Sequence, residues 1–352
     1  MKKFLKVLLI IVLVIVVGAG GFLGWLTAVE YKPESVEMAE VVSTIPDAKK
    51  VEMDQELDIL SWNIGYAGLG AKEDFFMDGG EKVEPESVEV VEGYLDDIVA
   101  FADKEDPDFF MIQEVDKNSA RTKSYDETQK FTDKNTFFSP NYRAKFVPFP
   151  MPPIGKVDSG LVNTTNLQVE KTDRVALPCA FTWPVRTANL KRCLQVSYLP
   201  IKGSDKKLVM VNLHLEAYDS GEAKIRQSEV LREFITNEYE KGNYVIAGGD
   251  FNQTFPGTKD KYPILDNEYW EPGVLENSFL PEGWEFTYDM THPTCRLLNK
   301  PYDEKTSQKY VLDGYIVSPN VNVEKVETVD LNFASSDHNP VRLKVTLDSS
   351  EE

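Results

Sequence analysis

Basic and metal-binding side chains are scarce in this sequence. Its 352 residues hold three histidines and three cysteines, and 38 Lys and Arg stand against 58 Asp and Glu, a net charge of −20. Such a surface repels bulk nucleic acid, because non-specific binding depends on Lys and Arg displacing counterions from phosphates. Bound divalent cations reverse the sign locally, so the charge argues against a nuclease without excluding one. Cys179, Cys193 and Cys295 show no C-x-x-C spacing, which removes the usual structural zinc pattern. Outside the cell an odd count leaves at least one thiol free or paired between chains. Cys179 and Cys193 are the two that could bridge within the chain. Internal repeats and low-complexity tracts are absent, and no Lys/Arg cluster with interleaved aromatics occurs beyond the N-terminus.

What is plentiful is apolar. Hydrophobic side chains make up 42% of the chain, with five Trp and nineteen Phe, enough for a sizeable core rather than disorder. Lys2, Lys3 and Lys6 precede an uncharged run from Val7 to Val29. At about 1.5 Å per residue the run reaches roughly 35 Å, enough to cross a bilayer with some tilt. The lysines favour a cytoplasmic N-terminus, which puts everything after Val29 outside, as a single-pass protein of the cell membrane. The other reading is a cleaved signal peptide. Its apolar core is usually shorter, about 7–15 residues, although Gly18, Ala19, Gly20 and Gly21 supply small residues for a peptidase. The expected layout is a cytoplasmic segment at 1–6, an anchor at 7–29, a linker at 30–56 and one α+β domain at 57–348.

Residues 30–56 read as a linker because Glu, Lys, Pro and Ser alternate there with little periodicity. From Leu57 the chain alternates strand-like and helix-like stretches. Leu57–Trp62, Asp108–Ile112, Ser159–Val162, Arg192–Leu199, Lys207–Leu213, Tyr244–Ala247, Val311–Val317 and Val341–Val345 fit strands. Val88, Val91, Leu95, Ile98 and Ala102 recur at helical spacing after Pro85, and Glu222–Tyr239 reads as a second helix. Tyr66–Glu84 and Phe255–Pro301 read as long loops, which tend to carry substrate contacts.

Polar residues recur where the strands end. Asn63 follows the first, Glu114 the second and His214 the Val209–Leu213 run. Asp250 and Asn252 follow Tyr244–Ala247, and Asp337-His338 precede the last strand. Hard cations such as Mg²⁺ take oxygen ligands, so convergent carboxylates with an amide make a suitable site. A histidine beside such a metal is what water attack on phosphorus needs. Singly, each residue has a plainer reading: Asn63, Gly249-Asp250-Phe251-Asn252 and Asp337-His338-Asn339-Pro340 suit turns, Glu114 a solvated acid, and His214 a hydrogen-bonded core residue. Their order along the chain is what sets them apart.

Trp62-Asn63-Ile64, Ile112-Gln113-Glu114-Val115-Asp116, Asn212-Leu213-His214-Leu215, Gly249-Asp250-Phe251-Asn252, Leu312-Asp313-Gly314-Tyr315-Ile316 and Ser336-Asp337-His338-Asn339-Pro340 together resemble the endonuclease/exonuclease/phosphatase superfamily. The resemblance covers about residues 57–346. It implies a DNase I-like fold, a four-layer α/β/β/α sandwich of two mostly antiparallel sheets flanked by helices. It also implies Mg²⁺- or Mn²⁺-dependent cleavage of phosphate esters. By position, Glu114 resembles the principal metal ligand, with Asn63, Asp337 and Asp250 completing or adjoining the site. Asp250 also matches the group that orients the attacking water, and Asn252 one that contacts a phosphoryl oxygen. His338 matches the general base, Asp313 the carboxylate that orients it, and His214 the histidine that donates to the phosphate.

Some segments depart from that pattern. Asn163-Thr164-Thr165 stands where a different substrate-side segment is usual, so Asn163 is a candidate substrate contact. The expected tyrosine has two candidates, Tyr142 and Tyr125. Ser119 and Arg121 are placed to meet a substrate phosphate, or Arg121 pairs with Asp116. His292 belongs to a loop near the site or is structural. Three functions remain: an exported phosphodiesterase acting on lipid headgroups or small molecules, a surface nuclease, and a silent tethered binding module. The acidic surface and the anchor favour the first, and the complete polar set disfavours the last.

Overall fold

The computed structural model describes residues 2–217 and 221–348. Two seven-stranded sheets are stacked face to face. The first runs, in spatial order, β1 (Val36–Met38), β7 (Lys171–Ala176), β8 (Cys193–Pro200), β9 (Lys207–His214), β10 (Tyr244–Asp250), β16 (Asp313–Val317) and β13 (Glu285–Thr287). The second runs β17 (Val321–Thr328), β18 (Val341–Leu347), β3 (Leu57–Asn63), β4 (Phe109–Asp116), β6 (Gly155–Thr165), β5 (Asn135–Val147) and β2 (Glu40–Ser43). Two short ribbons stand beside them, β11 (Gln253–Thr254) with β12 (Gly273–Val274) and β14 (Cys295–Arg296) with β15 (Lys309–Tyr310). In the large sheets neighbours are antiparallel except β3–β4 and β9–β10.

Strand periodicity divides each strand between two cores. On β9, Leu208 and Met210 enter the layer between the sheets, while Val209, Val211 and Leu213 face outward. On β3, Ile59 enters the same inner layer and Leu60 and Trp62 turn the other way. Helices cover both outer faces. α2 (Val88–Glu105) lays Val91, Leu95 and Ile98 on Leu60, Phe110 and Ile112, and α3 (Glu222–Glu240) lays Leu231 and Ile235 on Val209, Val211 and Val245. With both faces covered, these strands read as nearly continuous apolar runs, which is why they were visible in the sequence.

The expected linker at 30–56 is instead part of the fold. β1 pairs with β7 (Val36↔Val175) and β2 with β5 (Glu40↔Phe138), so one short segment closes an edge of each sheet. Ala39 and Val51 are buried, and Glu30 sits between Arg186 (3.3 Å) and Lys191 (3.2 Å). Strands of three and four residues are too short to show a period, and only their tertiary partners define them. The folded unit thus begins near residue 30 rather than 57. All three cysteines are free thiols, so Cys179 and Cys193 form no bridge.

Among the described residues one helix, α1 (Lys2–Ala28), is long and apolar enough to cross a membrane. Its large apolar side chains from Phe4 to Val17 are uncovered. Its C-terminal turns are docked: Leu26 is buried, Phe22 meets Phe146 edge-on at 6.1 Å, and Thr27 Oγ1 accepts the Trp183 indole N–H at 3.1 Å.

Candidate active site

The pairing of the sheets brings six strand ends to one edge. Parallel β3 and β4 align Asn63 with Gln113, and parallel β9 and β10 align His214 with Asp250. Antiparallel β16 sets Asp313 opposite Asp250. The turn before β18 is tied onto β3: Ser336 Oγ donates to Asn63 O (2.7 Å), and the Trp62 indole donates to His338 O (2.9 Å). That turn passes so close to Gly65, at φ +52°, that a Cβ there would lie 2.7 Å from Asp337 Oδ1.

Local backbone conformation aims the side chains. Register shifts between Ile112 and Val115 where β4 pairs with β6, and Glu114 at the irregularity has φ 55°. A bulge of this kind turns a side chain away from its alternation and is common beside active sites. Asn252 also has a positive φ, 49°, and its backbone N–H donates to Asp250 Oδ1 at 2.8 Å.

His338 is the centre of the arrangement. Its Nδ1 lies 2.8 Å from Asp313 Oδ2, and its Nε2 lies 3.8 Å from Asp250 and 4.0 Å from Asp337. Burial opposes a charge on this imidazole, but Asp313, Cys295 and Asp250 outweigh it and hold its pKa well above the usual histidine range. Burial, with the facing Asp313 and against His338, pushes Asp250 up to about 6. Burial, with Glu114 and against His338, pushes Asp337 up to about 7. His214 Nε2 lies 3.4 Å from Asp250 Oδ2. Burial, then Arg192 and His338, hold it well below the usual range, so it is a neutral imidazole.

The Asn63 amide nitrogen donates to Glu114 (3.2 Å) and Asp250 (3.0 Å), while its oxygen accepts the Gly65 N–H. In this arrangement Asn63 holds the carboxylates together. Asn252 directs its amide at Leu215 O (2.9 Å) and Asp250 Oδ2 (3.5 Å), so it braces Asp250 rather than presenting a donor outward. The structure brings Glu114, Asn63, Asp250, Asn252, His214, Asp313, Asp337 and His338 together.

The three expected substrate contacts lie differently. Arg121 lines the adjoining cavity, but its guanidinium is engaged by Asp116 at 3.0 and 2.9 Å and stacks on Tyr66, 3.6 Å from the ring centre. Ser119 accepts the Asp158 N–H, outside the cavity. Asn163 is fully buried between the sheets, donating to Ser197 Oγ at 2.9 Å. Its place on β6 points it into the inner layer, so it forms no substrate wall. Tyr142 lines the cavity, whereas Tyr125 packs beneath α2. His292 is half-exposed and lies 3.3 Å from Asp330, away from the cavity. Sequence reasoning missed Tyr66, Arg192 and Glu216, all cavity-lining; none stands in a motif, and Arg192 reads only as the first residue of an expected strand, which the structure starts at Cys193.

The donor set fits a hard divalent cation. Asp250 and Asp337 present buried carboxylates and Glu114 a half-buried one joined to Asp250 through the Asn63 amide, and Arg121, a nearby cation, is already paired with Asp116. Buried carboxylates without enough positive charge are unfavourable unless protonated or bound to a cation, as the raised values of Asp250 and Asp337 record. Asp250, Asp313 and His338 also have atoms within 4.8 Å of one another. The direct 2.8 Å contact between His338 and Asp313 makes these two a hydrogen-bonded pair.

A sandwich of two such sheets with this site edge defines the endonuclease/exonuclease/phosphatase, or DNase I-like, fold, and solved structures of that class share it. The chain is similar to the endonuclease/exonuclease/phosphatase from Beutenbergia cavernae DSM 12333, at 17% identity over 84% of this chain and 72% of that one, with a TM-score of 0.57. It is also similar to the endonuclease/exonuclease/phosphatase from Bacteroides vulgatus, at 17% identity over 84% of this chain and 100% of that one, TM-score 0.53. The human Nocturnin catalytic domain matches at 15% identity over 84% of this chain and 94% of that one, TM-score 0.50. No family model and no curated protein matches the sequence.

Proposed function

We propose that the protein is a divalent-metal-dependent hydrolase of phosphate esters, with phosphodiesters its first choice, held at the outer face of a membrane by α1. The observation that carries this reading is the His338–Asp313 pair, whose free Nε2 opens onto a buried carboxylate cluster inside a cavity. Asp313 accepts the Nδ1 proton and so keeps Nε2 free to take a proton from a water attacking phosphorus. Asp250, held by Asn63 and Asn252, orients that water. Neutral His214 offers an N–H toward the oxygens on which charge develops. Glu114, Asp337 and Asp250 would hold Mg²⁺ or Mn²⁺, which supplies polarisation of a phosphoryl oxygen and lowers the proton affinity of His338.

The test is hydrolysis of bis-p-nitrophenyl phosphate by the full-length protein, with Mg²⁺, with Mn²⁺ and with EDTA. Turnover that needs the metal supports the reading, and Glu114→Gln should raise the half-saturating Mg²⁺ concentration at least about tenfold. Equal rates in EDTA, or an unchanged titration in Glu114→Gln, would remove the metal or that ligand.

A further inference from the structure

The cavity that holds the catalytic cluster is also walled by the anchor. Its volume is about 590 Å³. One end is polar, with Glu114, His214, Asp250, Asp337 and His338. The remainder is apolar, lined by Phe22, Leu23 and Leu26 of α1 and by Phe76, Phe149 and Leu190 of the domain. A cavity of this size encloses a small amphiphile.

The helix fixes where that apolar end lies. Hydrocarbon about 30 Å thick takes about 20 residues at 1.5 Å each. Counted from Lys6, the last of the N-terminal lysines, this places the outer boundary close to Leu26, the residue in the cavity wall. Exposed apolar and aromatic side chains stand on α1 and on segments that line the cavity or touch the helix end. Phe149 and Met151 are 67% and 85% exposed, and Trp25 and Trp183 sit exposed near the helix end, where indoles favour the headgroup level. Glu30, held by Arg186 and Lys191, fixes the helix end against the rim of the same cavity.

Arg192 lines the same cavity and acts electrostatically on His214. It is 5% exposed, and its Nε and Nη1 have no hydrogen-bond partner among the described residues. Its charged contact is a long one, 3.8 Å to Glu216 Oε2. A buried guanidinium with open donors beside an acidic site suits a bound phosphate oxygen.

We propose that the substrate is a membrane phospholipid, entering from the outer leaflet with its acyl chain along Phe22, Leu26, Phe76 and Phe149 and its phosphate at Arg192. The hydrolysis is that of the preceding section: water adds to phosphorus, an ester oxygen leaves with a proton, and no redox partner is required. This assignment rests on the phosphoesterase reading.

The experiment is competition against bis-p-nitrophenyl phosphate by full-length protein in detergent with Mg²⁺. Dihexanoyl phosphatidylglycerol and dihexanoyl phosphatidylcholine are compared with glycerophosphoglycerol, glycerophosphocholine and a DNA oligonucleotide. At least one acylated compound should inhibit about 30-fold better than its deacylated headgroup, because each buried methylene adds to affinity. Phe149→Asp, at an exposed position, should cut that advantage at least about tenfold. Arg192→Gln should weaken acylated and deacylated inhibitors alike. In EDTA the wild-type protein should still carry phospholipid through gel filtration, read by mass spectrometry, and Phe149→Asp should carry less. Turnover of the chromogenic ester without any acyl preference, or with the oligonucleotide inhibiting best, overturns the lipid assignment alone. No turnover with either metal overturns the phosphoesterase reading and the lipid assignment with it.

Discussion

Asp313 lies 2.8 Å from one nitrogen of His338, and the other nitrogen faces Asp250 and Asp337. Replacing that carboxylate by an amide keeps the shape and changes which nitrogen carries the proton. Asp313→Asn should therefore lower kcat about 10²-fold or more with little change in KM; an equal loss from raised KM would make Asp313 a binding group instead. Asp250 at about 6 and Asp337 at about 7 bind protons that a cation must displace. Both values are raised by burial, so metal affinity should climb as pH rises through 6 to 7 and level off near 8. Calorimetric Mg²⁺ titrations from pH 5.5 to 8.5 read this directly, and an affinity flat across that range would place the cation elsewhere. The residues that converge at the strand ends were legible because they stand at or beside strong apolar runs. Arg192 was not, because a lone arginine at the start of an expected strand carries no motif. Asn163 was misjudged because position along a strand does not tell which face meets the cavity.

The elements show a similar division. Strands β3, β4, β9 and β10 and helices α2 and α3 were visible as apolar runs or helical spacing, since packing on both faces demands such residues. β1, β2, β5, β7 and β17 were not legible in the sequence. β1 and β2 exist only through pairing with β7 and β5, and they turn an expected linker into an edge of each sheet. A fragment starting near residue 45 lacks both strands and should melt about 3 °C below one starting at residue 30, the effect of a loss of about two kcal/mol in a domain of this size. Differential scanning calorimetry of the two fragments checks it, and coincident transitions would make these strands decorations. The bulge at Glu114 is likewise invisible in composition, because the residues around it are ordinary strand formers.

At the scale of the whole molecule, α1 and the site share one cavity. α1 ends in the wall of the cavity, Glu30 ties its end to Arg186 and Lys191, and the next residues stitch both sheets. The sequence showed an apolar run and a set of strand-end polar residues about thirty or more positions apart, with nothing to connect them. Their meeting depends on side-chain packing around Leu26 and on the ion pairs of Glu30. On the proposed reading, attachment through α1 would orient the cavity as well as retain the protein at the membrane. The most direct measurement is the steady-state hydrolysis of bis-p-nitrophenyl phosphate by full-length wild type and His338→Ala in Mg²⁺, with circular dichroism to establish that both are folded. The expected result is a loss in kcat of about 10³-fold in the folded variant. A folded His338→Ala protein with near-normal turnover would contradict the role assigned to His338 and the mechanism built on it.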